Sequence, residues 1–364
     1  MLIQATCSSS SRCPPTQSRT DLLASTSTTS ARFHGASLAT QAAAAAEPAT
    51  GNRFADYKPS TAFYFPGQGA QSVGMAKDVV NEVPAAKQLF QTASDILGYD
   101  LLKICTEGPK DKLDSTEISQ PAIYVASFAA LEKLKQTEGE ELIQKADVAC
   151  GLSLGEYTAL AFAGAFSFED GLKLVKLRGE SMQAAANASP SAMISVIGLD
   201  SDKVAALCEK ASAESGAEVG VRIANFLCNG NYAISGSLEA CEAAEKLAKE
   251  FGARKMVRLQ VAGAFHTSFM QPAEEQLREA LKATTINTPR IPVISNVDVQ
   301  PHDSPDRTRD TLARQLTSPV QWETTMQTLL QKGVQNSYEI GPGAVISGIM
   351  RRIDRKHDVI NIQV

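Results

Sequence analysis

A serine flanked by glycines, placed between an apolar strand and a helix, constrains the fold of this chain more than any other feature. The run Gly151-Leu152-Ser153-Leu154-Gly155 follows the short apolar segment 146–150 and precedes a helical pattern over 156–162. A turn this sharp leaves no room for side chains at its flanks, so it needs both glycines, and it projects the serine hydroxyl away from the sheet. A strand that passes directly into a helix is typical of a parallel sheet covered by helices.

The apolar pattern elsewhere extends this α/β prediction. A strand over 60–65 stops at Pro66-Gly67, and helical periods follow over 73–97 and 120–135. After residue 262 the pattern predicts helices over 272–282, 307–316 and 321–331, a loop over 298–306, and strands over 293–296 and 337–340. Strands that alternate with helices indicate a central, mainly parallel sheet.

The segment between residues 189 and 261 has a different order of elements. Strands are predicted over 192–199, 221–227, 231–235 and 255–261, with helices capped by Ser201 and Ser237 between them. The order βαββαβ is the ferredoxin-like pattern. We therefore expect a small ferredoxin-like subdomain, 189–261, inserted into a larger one made of 58–188 and 262–364.

The first fifty residues have the composition of an organelle transit peptide. They are rich in Ser, Thr and Ala, and they carry Arg12, Arg19 and Arg32 against only two acids. Hydroxyl residues and alanine outnumber arginine, which favours the plastid stroma over the mitochondrion. A disordered tail without a targeting role is the alternative.

Composition excludes several functional classes. The net charge of −5 and the absence of a nucleic-acid motif argue against a nucleic-acid partner. No segment has the roughly 20 apolar residues of a membrane span. The seven cysteines form no CxxC pair, so we expect a reduced compartment, no structural zinc and no bound metal or cofactor.

Ser153 is the candidate nucleophile, and a serine nucleophile needs a base, which is usually a histidine. His34 lies in the expected transit peptide, His302 in a loop rich in Pro and Asp, and His357 in a basic C-terminal stretch. His266 follows a strand through a turn of small residues, so elimination favours it. A satisfied structural histidine remains the alternative at this position.

Arg178 stands on an apolar helical stripe, four residues after Leu174 and four before Met182. A buried guanidinium is costly unless it meets an anion. The anion is either a protein carboxylate, in a buried salt bridge, or the carboxylate of a substrate held bidentately.

Two backbone amides are candidates for an oxyanion hole. The amide of Leu154 points outward from the N-terminus of the helix after Ser153. The glycine loop Phe65-Pro66-Gly67-Gln68-Gly69-Ala70-Gln71 ends the first strand and can supply the second amide. It lacks the lysine of a P-loop and the GxGxxG spacing of a dinucleotide site.

Together these stretches resemble the malonyl-CoA:acyl-carrier-protein transacylases of bacteria and chloroplasts and the acyltransferase domains of fatty acid and polyketide synthases. The resemblance covers nearly the whole chain after the transit peptide. Besides the glycine loop after the first strand and the serine motif, which here extends through Glu156-Tyr157, it includes Leu177-Arg178-Gly179, Ala264-Phe265-His266, Asn296-Val297-Asp298-Val299, Gln315-Leu316, Pro319-Val320-Gln321-Trp322 and Glu339-Ile340-Gly341-Pro342-Gly343. One departure is Leu152, where many bacterial members carry histidine.

The resemblance implies an α/β-hydrolase-like catalytic subdomain and a role for each matching residue. Ser153 is expected to be the nucleophile and His266 the base, with the imidazole oriented by the main-chain carbonyl of Gln315 and without a catalytic aspartate, which makes Asp298 a poor candidate. Arg178 is expected to bind the malonyl carboxylate. The amides of Gln68 and Leu154 would form the oxyanion hole, and Met182 and Phe265 would line the substrate pocket.

The implied activity is malonyl transfer from malonyl-CoA to the phosphopantetheine thiol of acyl carrier protein by a monomeric enzyme. A serine thioesterase or esterase, a stand-alone polyketide-type acyltransferase and a noncatalytic docking protein are the alternatives. An acidic carrier protein would meet basic residues, for which Arg351, Arg352, Arg355, Lys356, Lys173 and Lys176 are candidates. These charges are otherwise a solvated face.

Overall fold

The computed structural model describes residues 53–364. The expected transit peptide, 1–50, lies outside the described residues, as do Cys7, Cys13 and His34. In chain order, the strands are β1 (Thr61–Phe65), β2 (Val148–Gly151), β3 (Ser191–Ile197), β4 (Val221–Cys228), β5 (Asn231–Ser237), β6 (Lys255–Arg258), β7 (Val293–Ile294), β8 (Asn336–Ile340) and β9 (Ile360–Ile362).

Helices connect these strands. They are α1 (Val79–Glu82), α2 (Pro84–Leu97), α3 (Leu101–Glu107), α4 (Lys110–Asp114), α5 (Thr116–Glu138), α6 (Glu140–Lys145), α7 (Gly155–Phe162), α8 (Phe168–Ala188), α9 (Ser201–Ser215), α10 (Leu238–Leu247), α11 (Gln271–Ala283), α12 (Pro305–Arg314), α13 (Trp322–Lys332) and α14 (Val345–Ile353). A short 3₁₀ helix, Ser268–Met270, precedes α11.

The central sheet is parallel throughout, with the order β7-β2-β1-β8-β9. Its middle strands β1 and β2 are buried along their whole length, as expected for a sheet covered on both faces. Phe65 pairs with Gly151, so the carboxyl ends of β1 and β2 lie side by side. The glycine loop after β1 and the serine turn after β2 therefore leave the sheet at the same edge.

A second sheet has the order β4-β5-β3-β6, and every pair in it is antiparallel. Helices α9 and α10 connect β3 to β4 and β5 to β6. The sheet and these helices enclose an apolar cluster of their own that includes Val196, Leu207 and Ile234. The prediction of an α/β fold with a mainly parallel central sheet and a separate segment of different architecture is confirmed.

Several element boundaries differ from those predicted. The single helical period over 73–97 is divided into α1 and α2, because Pro84 cannot donate the amide hydrogen bond that would continue the first helix. The period over 120–135 is the middle of the longer α5, which is buried on nearly all sides and so shows little periodicity. The predicted basic C-terminal stretch begins in a helix, since Arg351 and Arg352 lie in the last turn of α14, and the edge strand β9 follows it.

Candidate active site

Ser153 lies in the tight turn between β2 and α7, with a backbone φ of 53°. A Cβ atom on Gly151 would overlap the backbone of Gly155, and one on Gly155 would overlap the carbonyl oxygen of Phe65 in the neighbouring strand. Both glycines are therefore required by close backbone contact. A left-handed serine costs roughly 1–2 kcal/mol, so other contacts must hold it.

Asn296 provides those contacts from the loop after β7. Its Oδ1 accepts a hydrogen bond from the amide of Ser153 at 2.6 Å, and its Nδ2 donates to the carbonyl of Gly151 at 2.8 Å. Asn296 is 1 % exposed. The sequence analysis assigned no role to Asn296, because its hydrogen-bond partners, Gly151 and Ser153, are distant along the chain.

His266 lies beside the serine hydroxyl. Its Nε2 is 3.0 Å from Ser153 Oγ, and its Nδ1 is 2.8 Å from the main-chain oxygen of Gln315. A carbonyl oxygen can only accept, so Nδ1 carries the proton and Nε2 is free to accept one from the serine. Burial and then the charge of Arg178 lower the pKa of His266 to about 4, so the imidazole is neutral near pH 7.

Arg178 projects from the middle of α8 into the same place and is 1 % exposed. Its guanidinium donates to Ser153 Oγ at 3.0 Å, to Gln315 Oε1 at 2.8 Å and to Gln120 Oε1 at 2.7 Å. Nε has no hydrogen-bond partner, and no carboxylate of residues 53–364 lies within 4.0 Å of the guanidinium nitrogens. Burial lowers the pKa of Arg178, which reflects the cost of holding a cation away from water.

Of the two alternatives for Arg178, the geometry thus shows no buried salt bridge with a protein carboxylate among the described residues. The cation meets neutral amide oxygens and the face of the Tyr157 ring, whose centroid lies 5.3 Å from the guanidinium carbon. This leaves its charge available to an anionic ligand.

Gln68 and Leu154 bring their backbones to the serine from the two loops at the edge of the sheet. A Cβ atom on Gly67 would overlap the carbonyl oxygen of Leu152, so these loops touch through their backbones. Among the hydrogen bonds of the described residues, the amides of Gln68 and Leu154 donate to no protein acceptor. Both residues line the cavity above Ser153.

That cavity has a volume of about 80 Å³, and most of the candidate residues line it. Its lining includes Gln68, Ser153, Leu154, Arg178, Met182, Phe265 and His266. Gln315 contributes hydrogen bonds from behind. Sequence reasoning missed four further lining residues that come from the antiparallel sheet and the chain that follows it: Met193, Asn225, Leu259 and Val261. Asn225 Oδ1 is buried without a partner, and nothing local in an apolar strand pattern indicates that it faces a cavity.

The remaining described histidines lie elsewhere. His357 Nε2 is 2.7 Å from Ser337 Oγ, and His302 is fully buried against Glu156. Asp298 pairs with Arg307 at 2.7 Å and makes no hydrogen bond to His266.

Within residues 53–364, no cluster of three or more His, Cys, Asp or Glu side chains is arranged to hold a metal ion. The five cysteines in this range are buried free thiols. No helix in the same range is long and apolar enough to cross a bilayer.

Comparison with known proteins identifies relatives of the chain. The acyl transferase domain family matches residues 62–362. The malonyl CoA-acyl carrier protein transacylase of Bacillus subtilis is 39 % identical over 301 residues, covering 83 % of this chain and 92 % of that protein. The mitochondrial malonyl-CoA-acyl carrier protein transacylase of Homo sapiens is 40 % identical over 296 residues, covering 79 % of this chain and 75 % of that protein.

Solved structures agree with this fold. The malonyl CoA-acyl carrier protein transacylase from Coxiella burnetii superposes with a TM-score of 0.79 at 36 % identity, covering 84 % of this chain and 94 % of that one. A malonyl-transacylase solved in complex with a type II PKS acyl-carrier protein gives a TM-score of 0.76 at 36 % identity, covering 83 % and 94 %. The chain belongs to the acyl transferase domain family and, within it, to the malonyl-CoA:acyl-carrier-protein transacylases.

Proposed function

We propose that this chain transfers a malonyl group from malonyl-CoA to the phosphopantetheine thiol of acyl carrier protein, through an ester on Ser153, and so supplies malonyl groups for fatty acid synthesis. The observation that carries the proposal is the buried guanidinium of Arg178. It lies 3.0 Å from the candidate nucleophile, and no carboxylate of residues 53–364 lies within ion-pair distance of it. A substrate whose acyl group ends in a carboxylate supplies the missing charge.

The first half-reaction follows from the positions of the side chains. Ser153 Oγ attacks the thioester carbonyl while His266 Nε2 accepts the hydroxyl proton. The resulting oxyanion is held by the free amides of Gln68 and Leu154, and such a donor stabilises the transition state by roughly 3–4 kcal/mol. When the carbon–sulfur bond breaks, His266 returns the proton to the sulfur and CoA leaves as a thiol.

The second half-reaction reverses these steps with a different thiol. The phosphopantetheine thiol of the carrier attacks malonyl-Ser153, its proton passes to His266, and the proton then returns to Ser153 as the ester breaks. The cycle is therefore ping-pong and needs no bound metal or cofactor. The main-chain oxygen of Gln315 keeps the proton of His266 on Nδ1 throughout.

Met182 and Phe265 would limit the size of the acyl group. Both are nearly fully buried and line the cavity beside Arg178 and His266. A malonyl group fits such a small cavity, whereas a branch on its central carbon would contact these side chains. Malonyl-CoA is thus the substrate we expect.

The direct test is the mass of the intact protein after brief exposure to malonyl-CoA, with the modified peptide located, followed by addition of holo carrier protein. We expect malonylation at Ser153 that disappears as malonyl carrier forms, and neither in Ser153→Ala. If free malonate formed faster than malonyl carrier, the chain would be a thioesterase. If Ser153→Ala transferred malonyl groups at the wild-type rate, Ser153 would not be the nucleophile.

The carrier protein would dock on arginines near the C-terminus. Arg351, Arg352 and Arg355 are exposed and, together with Arg254, line a surface depression of about 460 Å³. None of these four forms an ion pair with a described residue. In contrast, Lys173 pairs with Asp170 at 3.2 Å, and Lys176 lies 4.0 Å from Glu180. The arginines, with Lys356, are therefore the better match for an acidic carrier.

We also assign the described chain to two subdomains and the enzyme to an organelle. Residues 58–188 and 262–364 would form the α/β-hydrolase-like catalytic subdomain and 189–261 the ferredoxin-like one, supported by the separate apolar cluster of the antiparallel sheet. In amide hydrogen exchange, the two sheets should then open as separate units, and opening as a single cooperative unit would contradict this assignment.

The first fifty residues, fused to a fluorescent protein, should enter the plastid stroma, with mitochondrial import as the alternative. Sedimentation should give a monomer.

A further inference from the structure

One buried carboxylate beneath the site has no part in the reaction as derived. Glu156 lies in the first turn of α7 and is fully buried. Its Oε2 accepts from the amide of Asn296 at 3.0 Å and from Nε2 of Gln315 at 2.7 Å. Its Oε1 lies 2.7 Å from Nε2 of His302, which is also fully buried. An acid in such a place must either stabilise the local structure or orient the groups that contact it.

Gln315 connects this carboxylate to the residues that carry the reaction. Its side-chain Nε2 donates to the carbonyl of Ser153 at 3.0 Å as well as to Glu156. Its Oε1 accepts from Arg178, and its main-chain oxygen accepts from Nδ1 of His266. A single residue therefore contacts the nucleophile, the base and the cation.

Glu156 and the carbonyl of Ser153 together determine which way the amide of Gln315 faces, and Glu156 is the shorter contact of the two. An ionised carboxylate only accepts hydrogen bonds, so the NH₂ end of Gln315 must point toward Glu156 and the oxygen toward Arg178. With the amide reversed, NH₂ would face a guanidinium that also only donates, and Arg178 would lose one of its acceptors. His302 contacts the second oxygen of Glu156, so the carboxylate cannot rotate away from Gln315.

We infer that Glu156, held by His302, is a positioning residue that acts through Gln315 to aim Arg178 at the carboxylate of the substrate. The inference rests on the proposed malonyl transfer, since it assigns the origin of acyl-group selectivity in that reaction. A purely structural Glu156 would affect how much enzyme is folded and would leave selectivity unchanged.

The test compares acylation of Ser153 by malonyl-CoA and acetyl-CoA, as the ratio of the two values of kcat/KM. The ratio does not depend on the fraction of enzyme that is folded, because both substrates report on the same active molecules. Glu156→Gln replaces a carboxylate that only accepts with a neutral amide whose NH₂ end can face Gln315, which allows the amide of Gln315 to reverse. We expect the malonyl preference to fall about tenfold to hundredfold, the effect of losing one hydrogen bond to a charged group.

Glu339→Gln is the matched control. Glu339 is also fully buried and also accepts hydrogen bonds from two amide groups, in its case the backbone amides of Ile346 and Ser347 at 2.8 Å each. It makes no hydrogen bond to Ser153, His266, Arg178 or Gln315, so the malonyl preference should stay at the wild-type value. An unchanged preference in Glu156→Gln, or an equal loss in both variants, overturns the inference.

A double-mutant cycle tests the route through Gln315. Gln315→Met alone should lower the malonyl preference, and adding Glu156→Gln should lower it no further, because the amide that Glu156 orients is absent. Multiplicative losses would show that Glu156 acts by another route and would contradict the inference. Should Glu156→Gln fail to fold, His302→Leu takes its place. His302→Leu should lower the malonyl preference, and His302→Gln should restore it. Equal malonyl preferences in the two His302 variants would contradict the inference. A wild-type protein that forms no malonyl-Ser153 would instead refute the proposed function.

Discussion

Arg178 is deeply buried and forms no ion pair with any carboxylate of residues 53–364, and this combination predicts the effect of removing its charge. Arg178→Met keeps the length and apolar contacts of the side chain but removes the charge. We expect kcat/KM for malonyl-CoA to fall roughly a hundredfold, which corresponds to a loss of about 3 kcal/mol in transition-state stabilisation. The reason is that the substrate carboxylate would be buried without a partner. Acylation by acetyl-CoA should be retained or increase.

Lys176→Met on the same helix is the control for Arg178→Met. Lys176 is partly exposed and lies at the limit of ion-pair distance from Glu180, so both substrates should react as in the wild type. An equal loss with malonyl-CoA and acetyl-CoA in Arg178→Met would show that Arg178 supports the local structure and does not bind the carboxylate.

His266 gives a second prediction at this scale, in the dependence on pH. The free enzyme needs a neutral imidazole, and the pKa of His266 is lowered to about 4 by burial and by Arg178. The rate of malonyl-Ser153 formation should therefore stay flat as the pH decreases from about 8 to about 5 and reach half its maximum near pH 4. An ordinary histidine would give half the rate near pH 6.5.

Folding must be followed in the same pH series. The unfolded chain takes up the His266 proton near pH 6.5, whereas the folded chain resists it until about pH 4, so stability decreases as the pH falls through this window. Circular dichroism at each pH separates lost structure from lost activity. A half-maximal rate near pH 6.5 in fully folded protein would contradict the buried, neutral base.

The sequence singled out candidates that have a local signal, and these meet in one cavity, but it gave no role to residues whose contacts are tertiary. Ser153 stands in a motif that needs its glycines, and Arg178 interrupts an apolar stripe. Glu156 and His302 have no such signal: one lies in the first turn of a short helix and the other in a polar loop, 146 positions apart. Only the meeting of α7 with the chain after β7 buries them together.

At the scale of elements, the serine turn depends on a neighbouring loop. Asn296→Ala removes the acceptor for the amide of Ser153 and the donor for Gly151, while the left-handed backbone of Ser153 remains. We expect the free energy of unfolding to fall by about 2–4 kcal/mol and acylation of the folded enzyme to slow at least about tenfold. Denaturant unfolding and single-turnover acylation measure the two effects.

Asn361→Ala is the matched comparison for the serine turn. Asn361 likewise donates from Nδ2 to a backbone carbonyl, that of Gly343, and lies in the edge strand β9. The Asn361→Ala variant should lose some stability and keep the wild-type rate of Ser153 acylation. If both variants lost stability and kept the wild-type acylation rate, Asn296 would stabilise the fold without influencing the nucleophile.

Element types were easier to predict from sequence than element ends. The hairpin of β4 and β5 follows from a turn with Asn229-Gly230 between alternating strands, which is a local signal. The extent of α5 could not be read this way, since a helix buried on most sides has no polar face to give it a period. Helix α14 was missed for another reason: it is short, and its exposed basic last turn resembles a solvated tail.

At the scale of the whole molecule, the two sheets contribute different parts of one cavity. The candidate nucleophile and the proposed oxyanion amides come from the edge of the parallel sheet, whereas Met193 and Asn225 come from the antiparallel one. Arg222 of β4 links them, donating to the main-chain oxygens of His266 and Thr317. The sequence predicted both sheets but not how they meet, because that contact joins segments far apart in the chain, such as β4 and the backbone of Val320.

The arginines near the C-terminus predict how the carrier protein is recognised. Reversing two charges, Arg351→Glu with Arg355→Glu, should raise the apparent KM for holo carrier protein about tenfold or more, because attractive contacts become repulsive. The rate of malonyl-Ser153 formation from malonyl-CoA should not change, since both side chains are exposed and line a depression separate from the cavity of the serine. Added salt should weaken the wild-type interaction and narrow the difference between the two proteins. Reversal of Lys173 and Lys176, which have acidic neighbours, serves as the comparison. An unchanged KM in the arginine variant would place the docking surface elsewhere on the molecule.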